Sequence, residues 1–387
     1  MARHADRLRG IAPTIFSQMS ALAVRTGAVN LGQGFPDRSG PDAVVDAAEA
    51  AMRAGQNQYA PGIGVPDLRQ AIAAHQARHY GIGLDPDREV VVTTGCTEAV
   101  AAALLGLVNP GDEVLVLEPY YDSYLAMIAF AGGVRLPVTL RAPDFRLDVE
   151  ELRRAVTDRT RVLLLNSPHN PTGSVLTRAE LQAVADVATE HDLVVITDEV
   201  YEHLVFDDHE HIPLATLPGM AERTLTLSSA GKMFSFTGWK VGWATGPEEL
   251  VGAVLSAKQW LSFSSGTPLQ AAVAHALTHE ASFYEELRVS LQGRRDLLCA
   301  GLGELDVDVR VPEGTYFATT DVSRLGWEDG MAFCRALPER AGVVAIPAQA
   351  FYDDLAEGRH LVRWAFCKEA EVIEDGLLKL QKADLTA

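Results

Sequence analysis

The chain is predicted to fold as an α/β protein: a mostly parallel seven-stranded sheet sandwiched by helices, followed by a smaller α+β domain. Three observations predict this. Short β-branched runs alternate with helical stretches from about residue 90 to residue 245. Several of those runs are apolar at consecutive positions, as strands covered on both faces require. After Glu280 the strict alternation stops, which marks a second kind of architecture.

Residues 1–40 read as an arm. Apolar residues occupy 11–16 and 19–24, and Asn30-Leu31-Gly32-Gln33-Gly34-Phe35-Pro36-Asp37 then breaks into a glycine-rich turn. Gly34 there permits close approach of backbone to a ligand. Residues 41–282 read as the large domain. An amphipathic helix is expected over 42–53, a loop at Asn57-Gln58-Tyr59, and a helix over 65–80. Strands are expected over 90–94, 113–117, 134–139, 162–165, 193–197, 224–227 and 241–244, with helices such as 98–107 and 178–191 between them. Residues 283–387 read as the small domain, which the arm joins. Its parts are a long helix over 283–305 with Arg294 and Arg295 on the polar side, strands over 307–311, 317–321 and 360–366, and a helix over 330–341.

Composition narrows the function classes. The chain has 387 residues, 48% hydrophobic, enough for a large core or two domains that share an interface. Lys and Arg total 33 against 52 Asp and Glu, a net charge of −19. Such a surface repels phosphate backbones and anionic lipid, so nucleic acid and membrane are not expected partners. The four cysteines, Cys96, Cys299, Cys334 and Cys367, are scattered without metal-ligand spacing. They read as reduced thiols of a cytoplasmic protein, and no metal site is expected. Residues 1–10 are charged and lack the apolar core of a signal peptide, and no apolar run reaches membrane-spanning length.

The chemistry centres on 228–243, where Lys232 lies among small residues with no acid beside it. An amine becomes a nucleophile near neutral pH when burial or a neighbouring cation removes its proton, and Lys240 is a candidate cation. Five other stretches supply companions. Thr94-Gly95-Cys96-Thr97 joins a strand to a helix and offers free N–H groups to an anion. Tyr121 leaves the next strand, where an aromatic can lie on a planar ring. Asn170 sits in a loop stiffened by Pro168 and Pro171. Asp198 ends the run Val194-Val195-Ile196, and a carboxylate at a buried strand end needs a cation, such as a protonated pyridine nitrogen. Glu199 and Glu202 are expected in solvent. Arg363 interrupts an apolar strand and could clamp a carboxylate through two parallel hydrogen bonds or serve a structural ion pair.

Taken in this order, Asn170-Pro-x-Gly173, Asp198-x-x-Tyr201 and Ser229-x-x-Lys232 resemble the class I aminotransferases, pyridoxal-phosphate enzymes of fold type I. The spacings, 28 positions from Asn170 to Asp198 and 34 from Asp198 to Lys232, are similar to theirs, and the resemblance runs from about residue 11 to about 378. Residues 30–37 and 229–243 resemble the branch of kynurenine, glutamine and methionine aminotransferases, and within it the actinobacterial group of N-succinyl-diaminopimelate aminotransferases.

The resemblance implies a role for each residue. Lys232 would hold the cofactor covalently and carry the proton at Cα, and Asp198 would keep the pyridine nitrogen protonated. Tyr201 and Asn170 would bond the ring oxygen, with Tyr121 stacked on the ring. Gly95, Cys96, Thr97, Ser229 and Lys240 would bind the phosphate, with Tyr59 reaching in from the second subunit of a homodimer. Arg363, helped by Asn170 and Gly34, would bind the substrate carboxylate. Lys240 stands where aspartate aminotransferases carry arginine. Phe16 and Phe263-Ser264-Ser265-Gly266 depart from the kynurenine enzymes, so the side-chain pocket differs from theirs. The implied reaction moves an amino group between an L-amino acid and a 2-oxo acid, with glutamate and 2-oxoglutarate as common pair and N-succinyl-2-amino-6-oxopimelate as specific substrate. The alternatives are a broad kynurenine, glutamine or methionine aminotransferase, a cysteine-conjugate β-lyase, or a cofactor-binding regulator.

Overall fold

Along the strand Glu113–Glu118, Val114 and Val116 enter one apolar cluster while Leu115 and Leu117 enter another. The strand Thr160–Asn166 divides in the same way, with Val162 and Leu164 on one side and Leu163 and Leu165 on the other. Side chains alternate across a pleated strand, so a run apolar at every position makes a sheet that must be covered twice. Each such side chain fully buried contributes roughly 1.5–3 kcal/mol.

These relations are seen in a computed structural model, which describes residues 5–8, 11 and 13–387. The other residues of the expected arm, and with them part of its charged start, lie outside the described residues. The large sheet has seven strands: β1 Val90–Thr93, β2 Glu113–Glu118, β3 Val134–Thr139, β4 Thr160–Asn166, β5 Val194–Asp198, β6 Thr224–Ser229 and β7 Gly242–Thr245. Their order is β1-β7-β6-β5-β4-β2-β3. Only β7 runs antiparallel to its neighbours, β1 and β6. The helix Gly95–Leu107 buries Ala99, Ala102, Ala103 and Leu104 on one face, and Arg178–Glu190 buries Leu181, Val184 and Val187 on the other. Arg178–Glu190 opens on a capping box in which Thr177 and Glu180 satisfy each other's free backbone N–H groups.

A second sheet has four antiparallel strands: β8 Asp308–Arg310, β9 Phe317–Asp321, β10 Ile346–Pro347 and β11 Leu361–Ala365, in the order β10-β11-β9-β8. The two-residue strand Val29–Asn30 pairs in parallel with Val343–Val344, so the N-terminal segment is hydrogen-bonded to this half of the molecule. The helix Ile15–Thr26 buries Ile15, Met19 and Ala23 in a cluster that also holds Leu337 and Ala341.

Two expectations fail. Arg295 does not lie on a solvated face of its helix Ser282–Gly303; it is 4% exposed, bonds Asp207 at 2.6 Å and covers the Phe206 ring. A charge can turn inward because a carboxylate 88 positions away supplies its partner. Glu199 and Glu202 are likewise buried. Glu199 pairs with His211 at 2.9 Å, and Glu202 accepts from Ser228 Oγ at 2.6 Å while burial pushes its carboxyl up to about 7.

The antiparallel strand β7 crosses directly under the start of helix Gly95–Leu107. A Cβ on Gly242 would lie 2.6 Å from the Gly95 carbonyl carbon and 2.7 Å from the Cys96 nitrogen. Both are backbone atoms, which cannot swing away. Gly242→Ala should therefore destabilise the protein by about 1–3 kcal/mol in urea unfolding and shift the turn at Gly95. An unchanged unfolding midpoint would contradict so close a backbone approach.

Candidate active site

The parallel register brings chemistry to one edge. Asn166 and Asp198 are the last residues of β4 and β5 and pair directly across the ladder. Ser229 ends β6, Gly95 opens the helix after β1, and Tyr121 follows β2. The carboxyl ends of parallel strands are where α/β sheets leave a crevice. Here a cavity of about 430 Å³ is lined by Phe16, Gly34, Gly95, Cys96, Thr97, Tyr121, Asn170, Asp198, Tyr201, Ser229, Lys232, Lys240 and Arg363. Every site residue singled out from the sequence therefore meets in one place except Tyr59. That ring is 85% exposed and packs edge-on against Phe263, away from the cavity of its own chain.

Lys232 projects from a four-residue helix, Ala230–Met233, into the cavity. Its Nζ donates to Tyr316 Oη at 2.5 Å and to the Gly34 carbonyl at 3.3 Å. Burial pulls the ammonium down from 10.5 to about 8; Arg363 and then Lys240 add smaller repulsions, so Lys240 is not the main cause. Tyr316 Oη also donates to the Gly34 carbonyl at 2.7 Å. The tight fit at Gly34 involves protein as well as the cavity, since a Cβ there would meet the Phe317 ring at 2.5 Å.

Asp198 is buried without a basic side chain paired to it among the described residues. Tyr124 Oη donates to its Oδ2 at 2.6 Å and the Val200 N–H to its Oδ1 at 3.3 Å, yet burial still holds the carboxyl above its usual range. Arg363, 1% exposed, is the opposite case. Its Nη1 donates to Asn170 Oδ1 at 3.0 Å and its Nη2 to the Gly32 carbonyl at 2.9 Å, but its Nε–H is buried with no partner among the described residues. The guanidinium lies 3.9 Å from the Phe317 ring centre, with Phe16 and Phe351 also near. Burial pulls it down to about 10, so it stays charged at neutral pH. A buried guanidinium with a free donor and no carboxylate bonded to it asks for an anion from outside the chain.

At the other end, the start of helix Gly95–Leu107 carries free N–H groups and the positive end of the helix dipole. Lys240 Nζ reaches Thr97 Oγ1 at 3.4 Å, and the Ser229 hydroxyl borders the same space. The donors form a cradle for a phosphate-sized anion. Sequence reasoning missed Tyr124, Asn166 and Tyr316. Tyr124 lies three residues after Tyr121 and reads as helical core, and Tyr316 precedes its strand without a motif.

A profile of the class I and II aminotransferases matches residues 26–373. The chain belongs to this family. It is 54% identical over 386 residues to a probable N-succinyldiaminopimelate aminotransferase, DapC, of Mycobacterium tuberculosis, covering 97% of each chain. It is 39% identical to the methionine aminotransferase of Escherichia coli, covering 95% of each. The solved structure of N-succinyldiaminopimelate aminotransferase from M. tuberculosis superposes with a TM-score of 0.95 at 55% identity, over 97% of this chain and 99% of that one. The protein is thus an aminotransferase that uses pyridoxal phosphate.

The residues present fit that cofactor. The anion cradle suits a phosphate, the unpaired buried Asp198 suits a protonated ring nitrogen, and an amine of lowered basicity stands between them. Holding that amine buried has a cost in the cofactor-free protein. The folded state binds the Lys232 proton more weakly than the unfolded chain does, so stability rises with pH from about 8 towards 10.5. Lys232→Met should raise the melting temperature of the apoprotein at pH 7, and the gain should shrink as the pH climbs through that window. Thermal melts across the range measure it; a variant no more stable than wild type at pH 7 would contradict a buried charge.

Proposed function

We propose that this enzyme transfers the amino group of glutamate to N-succinyl-2-amino-6-oxopimelate, the step of lysine biosynthesis for which the M. tuberculosis relative is named. The 54% identity, running the length of both chains, carries the choice of substrate. The chemistry itself rests on Arg363, a buried guanidinium with no carboxylate bonded to it among the described residues, which lines the same cavity as Lys232. The enzyme works as a cytoplasmic homodimer, and Tyr59 of a second copy completes the phosphate site. That placement is supported by the exposed aromatic group Tyr59, Trp260 and Phe263. Among the described residues no helix is long and apolar enough to cross a membrane.

Bound, pyridoxal phosphate supplies the electron sink that makes the substrate Cα–H acidic. The chain supplies the rest. Arg363 would bind the α-carboxylate through its fork, and its bond to Asn170 Oδ1 leaves the Asn170 amide nitrogen free, so that Asn170 and Tyr201 would hold the ring oxygen. Tyr121 would stack on the ring, and Phe16 would border the substrate side chain. Asp198, held by Tyr124, would pair with the ring nitrogen and keep it protonated. Lys232, its basicity lowered by burial, would take the proton from the substrate Cα and carry it onward rather than back. The water-poor aromatic wall around Arg363 strengthens these charge contacts.

Two experiments test this reading. Lys232→Ala should abolish turnover. Arg363→Gln should lower kcat/KM by about 10- to 150-fold, mostly through KM, because a charge-assisted bond to a carboxylate is lost. Arg363→Lys should recover little, since a point charge lacks the fork. Single-turnover loss of the yellow cofactor band separates the substrates: succinyl-diaminopimelate should bleach it faster than methionine or kynurenine. The reverse order would make this a broad aminotransferase, like the relatives that carry those names.

A further inference from the structure

A cluster of imidazoles lies outside the cavity. His75 and His79 stand four residues apart on the helix Pro66–Tyr80, so one face of that helix presents both rings. His203 follows Tyr201 by two positions and enters from the turn after β5. One ligand atom from each ring lies within 4.8 Å of the others, the one such group of three among the described residues. Among those residues the rings' one hydrogen bond joins His75 Nε2 to His203 Nε2 at 2.8 Å, and His75 Nδ1 is buried with no partner.

We propose that His75, His79 and His203 form a binding site for a divalent transition metal such as zinc, three imidazoles completed by water. Zinc–nitrogen bonds of about 2.0–2.1 Å place tetrahedral ligand atoms roughly 3.4 Å apart, so the close pair opens by about half an ångström and the third ring closes in. Neutral imidazole is the ligand form, and burial keeps the rings neutral: His75 is held down at about 3 and His203 well below its usual value. A ring behind His203 fixes its orientation. His203 stacks on Tyr284 at 4.0 Å between centroids and 4° between planes. His79 is exposed, which gives the ion and its water an entry path. The opposing feature is Arg78, a nearby cation on the helix, but it is exposed and its charge is screened. The ion would tie the helix to the segment Asp198–His203 that also carries Tyr201.

The test uses the cofactor-loaded enzyme, stripped with a chelator and desalted, and titrated with zinc alone in a calorimeter. Wild type should show one saturable site whose affinity falls at least about tenfold in His79→Ala, a variant of an exposed residue that leaves the core intact. Zinc should raise the melting temperature of wild type more than that of His79→Ala. The second helical pair, His275 and His279, lacks a third imidazole, so His275→Ala serves as control and should bind like wild type. Equal affinity in wild type and His79→Ala, or loss in the control instead, would overturn the proposal.

Discussion

Two charges that, among the described residues, are buried without ion-pair partners of opposite sign organise this molecule. Asp198 sits at the end of a strand with hydrogen bonds but no cation, and Arg363 sits among phenyl rings with one N–H unused. Taking either charge out of water costs several kcal/mol, and only a bound molecule with a positive centre near one and a carboxylate near the other offsets that. The fold is built to keep the two residues in place. β4 and β5 set Asp198 beside Asn166, and Asn166 Nδ2 donates to the Asp198 carbonyl at 2.7 Å. Asn166 Oδ1 accepts from the Asn170 N–H at 2.7 Å, and Asn170 Oδ1 accepts from Arg363. A continuous chain of bonds thus joins the large sheet to the four-stranded sheet across the cavity.

Lys232 stands between those charges, and its position explains its lowered basicity. Burial is the main cause, with Arg363 and Lys240 adding to it and Asp198 opposing it. The site therefore holds a reactive amine without a dedicated base beside it. Tyr316 and Gly34 fix its direction rather than its charge. The same logic makes the cofactor-free protein less stable than it could be, a common exchange of stability for function at an active site.

Much of this was legible in the chain. The seven strands of the large sheet were placed within a few residues, because runs apolar on both faces mark a doubly covered sheet. Thirteen of the site residues converge on one cavity, and those at or just after strand ends, such as Gly95, Tyr121, Asp198 and Ser229, do so because such sheets open there. What was hidden depends on distant partners. Arg295 is buried because Asp207 meets it, and Glu202 because Ser228 does, neither of which local pattern reveals. Tyr124 looked like one more apolar helical residue until its hydroxyl was seen on Asp198, 74 positions away. The metal site proposed on His75 and His79 runs against the sequence expectation of none, because its third member comes from the turn after β5 and not from local spacing.

The central claim is that Lys232 is the amine to which the cofactor is tethered. Borohydride reduction of the pyridoxal-phosphate-loaded protein, followed by peptide mass mapping, tests it directly. The account predicts one stoichiometric pyridoxyl adduct on the peptide that carries Lys232. An adduct on another lysine, or none in protein that has turned yellow, would contradict it.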